Sequence, residues 1–226
     1  MKKLLIFDID GTLLLTGGTG RIAFERAFQE LYGIEDSWGD VVPDGKTDQI
    51  IFGEIFKRHF NRLPGPNELK HLFTRYASHF ELEIDHTPGF QIMPGIPVLI
   101  DHLSTLSHVT LGIATGNIAE VSRFKLRRAN LHTYFRFMGT ASDSHDRPTL
   151  VKHAIDRGLA FTGPLETSSI FVIGDAVADI TAAKKNGVRS IAVATGATEK
   201  KTLAEQTPDH LLDNLANLQS LLSIIQ

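Results

Sequence analysis

Four short apolar runs punctuate the chain: Leu4 to Phe7, Val109 to Ala114, Ile170 to Ile173 and Ile191 to Ala194. Each is apolar on consecutive rather than alternate positions and stops at a polar or glycine-containing turn. That pattern predicts strands buried on both faces of a sheet. Helical patterns lie between them, with Val121, Lys125, Leu126 and Ala129 after the second run and Ile180 to Ala183 after the third. Strands alternating with helices predict an α/β fold with a Rossmann-like parallel sheet. In such sheets ligands bind outside the carboxyl ends of the strands.

The stretch from about Thr16 to Pro88 has a different rhythm. It contains no strand run, only three helical stripes: Ala23, Phe24, Ala27, Phe28 and Leu31; Ile51, Phe52, Ile55 and Phe56; and Leu69, Leu72, Phe73, Tyr76 and Phe80. Pro64-Gly65-Pro66 separates the last two, and Pro94-Gly95 marks the return to alternation. The expected organisation is a core domain of residues 1–15 and 89–226 with an all-helical cap domain of residues 16–88 inserted into it. An insertion leaving and re-entering at the edge of the first strand would lie over the site as a lid.

Composition narrows the function classes. The 226 residues are 42% hydrophobic and 22% charged, an ordinary globular balance. Lysine and arginine number 23 against 26 acids, for a net charge of -3, and no basic run could neutralise a row of phosphates, so nucleic acid is not an expected partner. With no cysteine there is no thiolate metal site and no thiol nucleophile. Asp8 and Asp10 interrupt the apolar start before it could serve as a signal peptide, and no segment could span a bilayer. The expectation is a cytoplasmic monomer or homodimer without a membrane partner.

The candidate chemistry gathers at the strand ends. The first strand runs into Asp8-Ile9-Asp10-Gly11-Thr12-Leu13, where two carboxylates one residue apart reach one small volume and the glycine lets the chain turn away. An isolated pair of this kind would be solvated turn carboxylates; a buried strand before it and Gly-Thr-Leu after it favour function. The second strand ends at Thr115-Gly116-Asn117, a hydroxyl followed by helix-initiating amides that suits a phosphoryl oxygen, although such a threonine alone would be a cap. The third ends Gly174-Asp175-Ala176-Val177-Ala178-Asp179, whose two acids could otherwise serve only the helix dipole. Carboxylates clustered on one edge repel each other unless a hard cation such as Mg²⁺ joins them, and Mg²⁺ implies phosphate.

These motifs, in this order, resemble the haloacid dehalogenase-like superfamily, in its phosphatase branch with a helical cap after the first motif. The resemblance implies that Asp8 attacks phosphorus to form an aspartyl-phosphate. It makes Asp10 the acid and base, and Thr115 the holder of a phosphoryl oxygen. It places Mg²⁺ on Asp8, the carbonyl of Asp10 and Asp175, with Asp179 supporting the metal waters. Where the family has a Lys-Pro pair, this chain has Arg147-Pro148. Arg147 can supply the same charge with a bidentate fork, and Lys152, one turn on, is the rival.

Gly45-Lys46-Thr47 in the cap, with Gly11, Thr12, Gly116 and Asn117 in the core, are the expected substrate contacts. The subgroup likeness is to phosphoglycolate phosphatases, with Lys46 receiving a carboxylate or second phosphate of a small phosphorylated metabolite and Asp44 and Asp48 keeping it charged. A phosphosugar mutase on the same scaffold is the alternative. A phospho-receiver signalling module would be shorter, would lack the insertion and would carry its aspartate on a later strand. Trp38 and the ten histidines are read as packing or surface residues, and Gly196 as a plain turn.

Overall fold

The computed structural model describes residues 1–226. The first strand, β1 (Lys3–Phe7), passes through the Asp8 to Leu13 turn into a short strand, β2 (Leu14–Thr16). Three helices follow: α1 (Thr19–Tyr32), α2 (Asp48–Phe60) and α3 (Pro66–Glu83). The chain returns through β3 (Phe90–Ile92), which pairs antiparallel with β2, so the two connections to the helical region form one ribbon. Then come α4 (Ile96–Thr105), β4 (Val109–Ala114), α5 (Ala119–Arg128), β5 (Met138–Gly139), α6 (Arg147–Thr162), β6 (Ile170–Gly174), α7 (Val177–Lys185), β7 (Arg189–Val193), α8 (Lys200–Glu205), β8 (His210–Leu212) and α9 (Leu218–Ile225).

The main sheet has the order β5-β4-β1-β6-β7-β8, and every pair in it is parallel. The four apolar runs are its four central strands. The edge strands β5 and β8 and the β2–β3 ribbon, at two or three residues each, are too short to leave a periodic trace in the sequence. From β1 the chain winds one way to β4 and β5, then the other way to β6, β7 and β8. The reversal places the crevice at the carboxyl ends of β1, β4 and β6.

Continuous hydrophobicity in the central strands follows from cover on both faces. Leu5, Phe7, Leu111, Ile113, Phe171 and Ile173 pack with Leu99, Ile100 and Leu103 of α4, Leu126 of α5 and Leu221 of α9. Leu4, Ile6, Ile170 and Val172 face Leu150, Val151 and Ala154 of α6 and Ala182 and Ala183 of α7. A third cluster holds the cap: Phe24, Phe28, Phe52, Phe56, Tyr76 and Phe80, all fully buried, joined by Ile118 and Val121 from the sheet domain. Burial of each such side chain contributes roughly 1.5–3 kcal/mol, so the cap has its own core and is also seated on the sheet domain.

Candidate active site

β1 delivers Asp8 directly into the crevice, where its side chain is buried. The chain then turns through Gly11, whose φ of 78° lies in the left-handed region. β6 delivers Asp175 beside it, and the Thr12 hydroxyl donates to Asp175 Oδ1 at 2.7 Å. Asp175 sits in a cradle of two glycines, because a Cβ on Gly11 or on Gly196 would collide with its carboxylate. Gly196 is therefore part of the site rather than a plain turn. Thr195, next to it, ties β7 to the first turn by donating its hydroxyl to the Gly11 carbonyl at 2.6 Å.

Arg147 enters from the first turn of α6, which Asp146 caps by accepting from the Thr149 amide at 3.1 Å. Its guanidinium is buried, donates through Nε to Asp179 Oδ1 at 3.1 Å and through Nη2 to the same oxygen, and lies 3.0 Å from Asp8 Oδ1. The Asp8 contact is close but off the N–H direction, so Asp8 Oδ1 is buried with no hydrogen bond. Burial works against the charge of Arg147, but Asp179 and Asp8 outweigh it and hold the guanidinium protonated. Lys152 points away and pairs with Asp156 on the exposed side of α6. Between the two rivals, the cation at the site is Arg147. Asp179 also fills the role of a helix cap, accepting from the Ala176 amide at 3.2 Å.

One cation at this site is invisible as chemistry in the sequence. Lys125 occupies a position that reads only as part of the α5 stripe, yet it is buried and its Nζ donates to both carboxylate oxygens of Asp10, at 2.7 and 2.6 Å. It also donates to Asn117 Oδ1 at 2.7 Å, and Asn117 Nδ2 donates to Asp10 Oδ2 at 2.6 Å and to Thr115 Oγ1 at 2.9 Å. Thr115, Asn117, Lys125 and Asp10 thus form one network. The Asp10 carboxylate is committed to Lys125 and Asn117, and its oxygens are not among those that cluster with Asp8, Asp175 and Asp179.

Oxygen atoms of Asp8, Asp175 and Asp179 all lie within 4.8 Å of one another. Burial pushes Asp8 up to about 7; Arg147 opposes the shift, while the charges of Asp179 and Asp10 add to it. Burial likewise pushes Asp175 up to about 8, with the charges of Asp8 and Asp179 adding and the Thr12 hydroxyl opposing. Arg147 satisfies Asp179, but no protein cation touches Asp175. An unbonded buried oxygen on Asp8 beside an uncompensated carboxylate is what a hard divalent cation would complete, so these residues fit Mg²⁺.

The cap loop reaches the core. The Asp48 amide donates to the Gly116 carbonyl at 2.7 Å, and the Asp48 carboxylate accepts from the Ile118 amide at 2.7 Å. Thr47 donates its hydroxyl to the His145 carbonyl at 3.1 Å. A Cβ on Gly116 would collide with the Lys46 carbonyl, so Gly116 serves this cap contact. Gly45, with φ 68°, lets the loop approach α7, where a Cβ on it would come within 3.1 Å of Ala178. Lys46 lines the cavity, but its Nζ pairs with Glu54 at 2.7 Å. The expected partners Asp44 and Asp48 are engaged elsewhere, Asp44 accepting from the Thr198 hydroxyl at 2.7 Å. Core and cap together line a half-open cavity of about 510 Å³.

The family described as haloacid dehalogenase-like hydrolase matches residues 5–193. A phosphoglycolate phosphatase from Agrobacterium fabrum is 25% identical over 96% of this chain and 91% of its own. The pyrophosphatase PpaX of Anoxybacillus flavithermus is 24% identical over 97% and 96%. The crystal structure of CbbY from Rhodobacter sphaeroides in complex with phosphate superposes with a TM-score of 0.75 at 20% identity, covering 96% of each chain. No helix of this protein is long and apolar enough to cross a membrane.

Proposed function

We propose that this chain, which belongs to the haloacid dehalogenase-like hydrolases, is a Mg²⁺-dependent phosphatase that cleaves a small phosphorylated metabolite through an aspartyl-phosphate on Asp8. The observation that carries the reading is the cluster of Asp8, Asp175 and Asp179 beside Arg147, with one Asp8 oxygen unbonded.

Asp8, Asp175 and the Asp10 carbonyl would hold the metal, and Asp179 would support it from behind. Bound there, Mg²⁺ supplies charge neutralisation between an anionic nucleophile and an anionic phosphoryl group. Asp8 attacks phosphorus as the alcohol departs, and water then cleaves the acyl phosphate. Arg147, fixed by Asp179, faces the position of the equatorial phosphoryl oxygens together with the Thr115 hydroxyl. Asp10 lies on the leaving-group side, where it would give a proton to the alcohol and take one from water. Lys125 and Asn117 fix its orientation, so they are positioning residues in this scheme. Residues 16–88 act as the cap, with the β2–β3 ribbon as its two connections.

A phosphoglycolate-like substrate, the expectation attached to Lys46 and borne in name by the Agrobacterium relative, requires Lys46 to leave Glu54. The phosphatase reading itself is tested with p-nitrophenyl phosphate. Turnover should need Mg²⁺, stop in excess chelator and vanish in Asp8→Asn; activity that survives either change would overturn it.

A further inference from the structure

The cavity changes character between its two ends. At the sheet edge it is lined by Asp8, Asp10, Thr115, Arg147 and Asp175; its cap wall is Phe24, Trp38, Ile51 and Tyr76, with Val42 and Leu15 at the margins. A two-carbon leaving group would touch little of that wall.

The charges facing the cavity are already matched. Arg21 pairs with Glu25 at 3.0 Å, Lys46 with Glu54, Lys125 with Asp10, and Arg147 with Asp8 and Asp179. The remaining ionisable groups on the cap side, Asp44 and Asp48, are acids. A carboxylate on the leaving group would gain a cation only by displacing Glu25 from Arg21 or Glu54 from Lys46, which disfavours it against an uncharged group.

One polar group in the apolar wall has no partner. Tyr76 is 1% exposed, its ring is held by Phe24, Phe52 and Phe80, and its hydroxyl makes no hydrogen bond to the protein. It lies near the start of α1, since a Cβ on Gly20 would be 3.7 Å from the hydroxyl oxygen. Asp48 and Asp10 are the charges that act on this phenol, which places it at the catalytic end of the cap. The Trp38 indole N–H, by contrast, is satisfied by the Val41 carbonyl at 3.0 Å. The hydroxyl is open to the cavity rather than sealed in the cap core, so it is free to donate to a ligand seated there.

We infer that the physiological leaving group is an uncharged alcohol with an apolar body of about ring size, carrying one hydrogen-bond acceptor that the Tyr76 hydroxyl meets. The inference rests on the phosphatase reading for the position of the phosphoryl group, and the test separates the two.

Trp38 is the only tryptophan and lines the cavity, so its fluorescence reports binding without turnover. Three non-hydrolysable phosphonates are titrated into the 226-residue chain with Mg²⁺: benzylphosphonate, 4-hydroxybenzylphosphonate and 3-phosphonopropionate, the last standing in for phosphoglycolate. Both benzyl compounds should bind at least about tenfold more tightly than the carboxylate, and the hydroxylated one should be tightest. Tyr76→Phe should lose about fivefold on the hydroxylated ligand and leave benzylphosphonate unchanged, the size expected for one neutral hydrogen bond. Equal or tighter binding of 3-phosphonopropionate would overturn the inference, as would equal losses on both benzyl ligands in Tyr76→Phe. Binding of none of the three alongside Mg²⁺-dependent turnover of p-nitrophenyl phosphate would overturn it while leaving the phosphatase reading standing. Tight benzyl binding without turnover of any ester would overturn the phosphatase reading, and with it the leaving-group assignment, while leaving an apolar ligand site in the cap.

Discussion

The two ends of the cavity solve opposite electrostatic problems. At the sheet edge, buried acids outnumber the cations, Arg147 is locked between Asp8 and Asp179, and Asp175 has only a hydroxyl for company. At the cap end the cations Arg21 and Lys46 are paired within the cap, and beside them stands an aromatic wall in which the Tyr76 hydroxyl has no protein partner. The first end carries stored repulsion that a metal and a phosphoryl group would relieve; the second offers dispersion and one hydrogen bond. The difference implies a division of labour in which substitutions at the sheet edge act on every ester alike and substitutions in the cap discriminate between esters.

The largest effect should come from Asp8→Asn. Losing the nucleophile should lower kcat on any phosphate ester by about 10⁴-fold or more while the circular dichroism spectrum stays native. Residual turnover near wild type would break the comparison at its root. Arg147→Ala comes next, with a loss of about 10²–10³-fold in kcat, comparable to removing one charge-stabilising donor. It should also destabilise the metal-free protein, because it leaves Asp179 buried without its cation. Lys152→Ala, on the exposed face, should change stability by no more than about 0.5 kcal/mol and leave kcat unaltered. Steady-state kinetics on the pair decides between the two cations.

The acid cluster also gives a pH signature. In the folded protein Asp8 and Asp175 titrate near 7 and 8, against 3.8 for an ordinary aspartate. Between those values the folded state keeps protons that the unfolded chain has released, so stability falls as pH rises from about 4 through about 8. Asp48, which burial pushes up to about 7, acts in the same direction from the cap side. Thermal melts in chelator should therefore decline across that window. Added Mg²⁺ should flatten the decline at its upper end, because it binds the deprotonated cluster. A Tm that rises with pH in chelator would contradict the assignment of these acids. Only a small effect is expected from Lys46→Ala, about twofold on aryl phosphates, since the lysine is spent on Glu54 at the cap surface. A tenfold loss confined to carboxylate-bearing esters would restore it as an anion receptor.

Legibility in the sequence followed the same divide. Asp8, Thr115 and Asp175 each end a mainly apolar run, and the termination of a buried strand is a local signal. The α/β alternation and the three cap stripes are equally local, because burial on one or both sides dictates the spacing of apolar residues. Lys125 was hidden because a lysine within a helical stripe carries the same spacing whether its ammonium snorkels to water or reaches across to Asp10. The fate of Lys46 was hidden for a related reason. Glu54 lies eight residues on in α2, and only the turn of the loop brings the two together. Tyr76 and Trp38 read as packing residues, and so they are, but which packed aromatic also lines a cavity depends on how α1, α2 and α3 meet. No pattern within one helix records that.

The claim underlying all of this is that phosphate passes through Asp8. Rapid acid quench of the Asp10→Asn variant with Mg²⁺ and a labelled aryl phosphate, followed by peptide mass spectrometry, tests it most directly. With the second step slowed, label should accumulate approximately one-to-one with enzyme on the peptide containing Asp8 and disappear on treatment with hydroxylamine. A variant that still releases phosphate while that peptide stays unlabelled at every time point would contradict the account.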